Sequence, residues 1–183
     1  MSELPAPVRA HLDDVLGQLA DPADAAAGGR LLPPHYPTCL GCGPDAEQGF
    51  HLEVRREGDE VVTEHVFATR HSGAPGIAHG GAVATVVDDV CGFLLYLAHA
   101  PAVTRTLQVE YLKPVLVGVR YTVRARLDSR EGRKLWASCT ATDPDGVEVF
   151  RGGGLFLVVG LEHFTTAVGD DAGTPGGPEP VAP

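Results

Sequence analysis

In "HSGAPGIAHGGAVATVVDDVCGFLLYLAHA", residues 71–100, two adjacent carboxylates, Asp88 and Asp89, interrupt a Val-rich apolar run. Carboxylates are rarely buried without a partner, so two at the centre of such a run require a physical reason. On a helix, Gly81, Ala84, Thr85, Asp88 and Gly92 share one face. A stripe of small residues bearing one acid suits the close passage of a thin ligand or a second backbone, with the acid aimed at it. Asp89 lies about 100° further round, beside Ala82, Thr85 and Phe93. It is the weaker candidate, expected to be a paired or partly wet neighbour.

The triplet His79-Gly80-Gly81 precedes this run. A helix N-terminus presents unpaired N–H groups and a positive dipole end, and glycines let a carbonyl or phosphate oxygen approach them without meeting a Cβ. The Gly81 amide is the expected oxyanion donor, two turns from Asp88. That pairing suits acyl transfer to water, with the amide polarising a carbonyl and the carboxylate attacking it or activating water. The same residues also fit a paired core acid behind a tight helix start, and the pattern alone leaves both readings open.

The elements that must position these groups follow from periodicity. Val8, Leu12, Val15, Leu16 and Leu19 predict an amphipathic helix over residues 5–20. An Ala/Gly/Pro-rich stretch to Thr38 is a linker or an ordered extended arm. "FHLEVRRE" and "EVVTEHVFAT" form a hairpin turning at Gly58 and Asp59, residues 71–78 a Gly/Pro loop, and residues 79–98 a buried helix. Four strands follow: "AVTRTLQVEYL", "GVRYTVRARLDS" with one wet face, "KLWASCTATD", and "VEVFRGGGLFLVVG", where Gly152–Gly154 predict a bulge or a close backbone contact. The order implies an α+β fold in which a curved antiparallel sheet of five to six strands wraps one long central helix. Residues 1–38 form an N-terminal helix and arm, 39–160 the folded domain, and 161–183 a tail with too little apolar surface to fold.

The chain has 183 residues and a formal net charge of -10, which argues against nucleic-acid and anionic-membrane partners. The apolar run, broken by two acids, is too short to span a bilayer. The first residues lack a signal-peptide pattern, and a cytoplasmic location is the expectation. Cys39 and Cys42 form a CxxC that supplies two ligands of a tetrahedral zinc site. His35 and His51 lie nearby, but neither has the usual ligand spacing, so the pair is read as a tight structural turn with no metal assigned, a metal site and a redox pair being the alternatives. Cys91 and Cys139 read as core, and no cofactor is expected.

"GAPGIAHGGAVATVVDD", preceded by "CLGCGPDAEQGFHLEV" and followed by "TLQVEYLKPV", resembles the PaaI-type branch of the hotdog-fold acyl-CoA thioesterases over roughly residues 39–160. The resemblance implies homodimers pairing sheets edge to edge, often dimers of dimers, with acyl-CoA bound at the dimer interface. It makes Asp88 the catalytic acid, His79, Gly80 and Gly81 the carbonyl-polarising loop, and Thr104 the residue that positions water. His71, Arg105 and Lys113 are expected substrate contacts, and Arg70 and Arg151 also flank the site. The chain departs from the family at "AEQG" (residues 46–49) where many relatives have "NPxG", at Ala74 in place of a first proline, and at Gly73. Some related enzymes have an Asn at the position of Gly73.

Hydrolysis of an acyl-CoA thioester is the leading reading. The alternatives are a non-catalytic acyl-CoA-binding hotdog protein and a hotdog enoyl-CoA hydratase or dehydratase. Phe93, Leu94, Tyr96 and Trp136 fit either an acyl pocket or plain core, and chain-length preference is not legible.

Overall fold

The computed structural model describes residues 31–160 together with Ala10 and His163. The expected helix over residues 5–20, the arm before Leu31 and the tail beyond Gly160 otherwise lie outside the described residues. In chain order the strands are β1 (Val54–Glu57), β2 (Glu60–Val66), β3 (Ser72–Ala74) and β4 (Ile77–Ala78), followed by helices α1 (Gly80–Gly92) and α2 (Leu94–Ala98). Strands β5 (Ala102–Tyr111), β6 (Arg120–Glu131), β7 (Lys134–Thr142) and β8 (Glu148–Val158) complete the domain. Six of these form one antiparallel sheet in the order β1-β2-β6-β7-β8-β5. β3 and β4 pair separately, a two-stranded element within the stretch read as a loop.

The hotdog architecture is present: α1 and α2 form one central helical segment, Gly80–Ala98, packed against the sheet. Its 19 residues are long and apolar enough to cross a membrane by length and composition, more than the acid-broken run suggested. Most of that segment is buried as core. Val83, Val86, Val87 and Val90 have almost no exposed surface, and they share a cluster with Val123, Leu135 and Phe150 of the sheet. Each buried valine contributes about 1.5–3 kcal/mol relative to exposure. Helical geometry tightens at Phe93, whose N–H reaches the carbonyls of both Asp89 and Val90.

Two local features set the site. The expected close contact at Gly152–Gly154 is present: a Cβ on Gly152 would lie 2.6 Å from the Gln108 carbonyl and 2.8 Å from Val87 Cγ1. Side chains there would wedge β8 away from β5 and the helix. The irregularity lies on the partner strand, where Thr104 faces Phe156 and Thr106 faces Leu155, leaving Arg105 as an extra residue in β5.

The described part of the arm begins at Leu31. Leu31 bridges Arg55, and the Leu32 N–H donates to the Val54 carbonyl at 2.8 Å, so the arm runs along β1.

Candidate active site

The two acids of α1 face different surroundings. Asp88 is half-buried, and its Oδ1 accepts a hydrogen bond from Thr104 Oγ1 at 2.9 Å. The structure thus joins a helix residue and an edge-strand residue singled out from sequence. Asp89 is paired but not wet: it is 8% exposed, with Oδ1 3.1 Å from His35 Nδ1 and 3.3 Å from Cys39 Sγ. Gly92, at the far end of the small-residue stripe, is covered by the His35 ring, which would lie 3.0 Å from a Cβ there. The open part of the stripe therefore ends near Asp88.

At the helix start, His79 is the N-cap and its Nδ1 accepts from the Gly81 N–H at 2.9 Å. The Gly81 amide, the expected oxyanion donor, is thus engaged by the cap in this structure. The neighbouring Gly80 N–H has no hydrogen-bond partner among the described residues. With Nδ1 accepting, a neutral His79 carries its proton on Nε2, on an exposed ring. Tyr111, which sequence reasoning passed over as a strand residue, donates from its hydroxyl to the Gly80 carbonyl at 2.8 Å and fixes that peptide.

A cleft of about 590 Å³ opens beside these groups, lined among others by Gly80, Gly81, Tyr111 and Lys113. Lys113 lines the same cleft as the glycines of the helix start. Arg105 is exposed on β5 next to Thr104. Arg151 is engaged elsewhere, 2.7 Å from Glu110, and Arg70 donates to the Gly49 carbonyl at 3.0 Å.

His71 lies away from the helix start. Its ring is 7% exposed and stacks on Phe50 at 4.2 Å, while its Nδ1 accepts from the Ala68 N–H. Burial, and then the Arg70 charge, push it below the ordinary histidine range. Its link to the site is through backbone, the His79 N–H donating to the His71 carbonyl at 2.7 Å. The glycine at position 73 has a local reason: a Cβ there would lie 2.8 Å from His79 Cα and 3.0 Å from Cδ2. Phe93, Leu94 and Tyr96 are core residues, and Trp136 is exposed on the sheet.

A six-stranded antiparallel sheet packed on a central helix, here with a histidine-capped Gly-Gly helix start and an acid two turns in, defines a hotdog domain. Residues 75–150 match the Thioesterase superfamily. It is 30% identical over 121 residues to acyl-coenzyme A thioesterase THEM4 of Bos taurus, covering 64% of this chain and 50% of that protein. The chain spans half or less of the length of such curated relatives.

Among solved structures, the thioesterase superfamily protein RHA08564 is similar with TM-score 0.61 and 23% identity, over 86% of this chain and 81% of that one. A hypothetical thioesterase protein of Streptococcus pneumoniae TIGR4, solved with coenzyme A, is similar with TM-score 0.56 and 21% identity, over 60% and 86%. The Streptococcus pneumoniae protein has also been solved with an aspartate, and separately a threonine sixteen residues later, replaced by alanine. Asp88 and Thr104 have the same separation.

Proposed function

We propose that the protein hydrolyses acyl-CoA thioesters in the cleft beside α1, with Asp88 as the catalytic carboxylate. The observation that carries this reading is the Thr104–Asp88 hydrogen bond lying two turns from an unpartnered Gly80 amide. The Gly80 N–H, and the Nε2–H of neutral His79, donate to the thioester carbonyl oxygen and stabilise the charge that develops there. Asp88 takes a proton from water as the water oxygen bonds to the carbonyl carbon. Collapse of the tetrahedral species breaks the C–S bond, and the proton held on Asp88 passes to the departing CoA sulfur. The products are a carboxylic acid and a thiol. Thr104 holds the carboxylate in orientation from β5, and Lys113 and Arg105 are the nearby cations for CoA phosphates.

The coenzyme A in the Streptococcus pneumoniae structure and the aspartate–threonine spacing support the same reading. A second copy completes the site in this proposal, because β5 is a ten-residue edge strand with largely exposed residues, a template for pairing with another β5.

The test is free-thiol release from short, long and aryl CoA esters by the full chain. Asp88→Asn is expected to fold and to lose about 10²–10⁴ in turnover, and near wild-type hydrolysis by that variant would sink the assignment. Sedimentation giving only the monomer mass would remove the shared-site part.

A further inference from the structure

The arm and the back of α1 bring together four metal-ligating side chains that the proposed hydrolysis does not use. His35, Cys39, Cys42 and Asp89 each offer one ligand atom, and these atoms all lie within 4.8 Å of one another. The separations are 3.1 Å between His35 Nδ1 and Asp89 Oδ1, 3.3 Å between Cys39 Sγ and Asp89 Oδ1, and 3.4 Å between Cys42 Sγ and His35 Nδ1. Zinc bonds of about 2.3 Å to sulfur and 2.0–2.2 Å to nitrogen or oxygen, set at tetrahedral angles, give ligand–ligand edges of about 3.3–3.8 Å. These three separations are within a few tenths of an ångström of that figure, and the remaining ones lie within 4.8 Å.

We propose that His35, Cys39, Cys42 and Asp89 form a structural zinc site clamping the arm to the central helix. The second oxygen of Asp89 is buried and has no hydrogen-bond partner, so the network as it stands leaves an ionisable group incompletely satisfied. A dication meets the charge requirement of a buried carboxylate beside two thiols. Soft thiolates with one imidazole and one carboxylate favour zinc over the hard cations, and four protein ligands make a closed, non-catalytic site.

The surroundings are shaped to these ligands. Gly41 presses on the Asp89 carboxylate so closely that any Cβ there would collide with it, and Gly92 leaves room for the His35 ring. That ring packs on Phe93 at 4.2 Å, which supplies an apolar wall. The His35 backbone N–H donates to Cys42 Sγ at 3.2 Å, and the Gly43 N–H closes the loop on the Cys39 carbonyl at 2.8 Å. Hydrogen bonds of that kind orient metal ligands from outside the coordination shell. All four cysteines are free thiols, so the pair is available to coordinate. Each thiol releases its proton to solvent as its sulfur bonds the ion, with no change of oxidation state.

The test is elemental analysis of the full chain grown with added zinc and isolated without chelator. About one zinc per chain is expected, falling below about a tenth in Cys39→Ser/Cys42→Ser and in Asp89→Asn. Cobalt exchanged into the wild type should give the strong visible bands and near-ultraviolet thiolate charge transfer of a tetrahedral sulfur site, a reading that stands even where a variant fails to fold. Removing zinc from the wild type should lower its melting temperature by several degrees, reversibly on adding zinc back. Wild type that neither retains zinc nor takes up zinc or cobalt overturns the proposal, as does a Cys39–Cys42 disulfide in freshly isolated chain or undiminished zinc in the double-serine variant.

Discussion

Thr104 on an edge strand donates a hydrogen bond to Asp88 on the central helix across 2.9 Å, which ties the carboxylate to β5. Thr104→Ala should leave folding intact, since Thr104 is exposed, and should lower kcat about 10- to 100-fold by releasing the carboxylate from its orientation. Because both act through one group, adding Thr104→Ala to Asp88→Asn should cost little more than Asp88→Asn alone. Steady-state thiol release by the two single variants and the double variant checks this, and fully additive losses would separate the two residues.

Tyr111 anchors the Gly80–Gly81 peptide, the neighbour of the His79–Gly80 peptide whose N–H is the proposed carbonyl donor. Tyr111→Phe removes one hydroxyl bond of about 1 kcal/mol to the Gly80 carbonyl. Turnover is expected to fall by up to about tenfold, while the melting temperature changes little because the ring is half-exposed. A large loss of stability with unchanged turnover would make Tyr111 a fold residue only.

Gly152 is where β8 passes beneath Val87 and alongside Gln108. Gly152→Ala places a methyl against a backbone oxygen and a buried side chain. A cost of about 1–3 kcal/mol is expected, seen as a melting temperature lower by several degrees. Thermal denaturation at unchanged thiol content checks it.

Acid should weaken the fold through His65. Burial foremost, then the charges of His71 and Arg70, hold this histidine down to about 4, against about 6.5 in an unfolded chain. The folded state accommodates the neutral ring. Its contribution is therefore complete above about pH 6.5 and is lost as pH falls through about 4. Urea midpoints at about pH 7 and about pH 4.5 should drop less in His65→Leu than in the wild type, and equal drops would assign acid sensitivity to other groups.

Local pattern made most of the fold legible. Alternation in "GVRYTVRARLDS" and its neighbours placed four long strands within a few residues, and the length of the run after His79 placed the helix. Asp88 stood apart from Asp89 because helical angle alone separates them. The surroundings of Asp89 were not legible, since His35 and Cys39 lie 54 and 50 residues away and no period links them to it. Which glycine amide is free was hidden as well. That depends on the His79 ring folding back onto Gly81, a rotamer choice rather than a residue type. Residues 71–78 read as loop because glycine and proline mask so short a pairing as β3 with β4.

The extra residue at Arg105 divides β5 into two phases. Leu107 and Val109 pack toward the core, whereas toward the strand's start it is the even positions, Ala102 and Thr104, that turn to the helix. A strand side chain changes face with every single-residue step. A chain shortened by one residue at Arg105 would turn this irregularity into a regular ladder, with Thr104 still opposite Phe156 and Thr106 still opposite Leu155, so the Thr104 hydroxyl would stay on the helix side. The extra residue therefore absorbs one step of spacing: substitution at Arg105, and even its removal, leaves Thr104 aimed at Asp88, because the pairing with Phe156 sets that face.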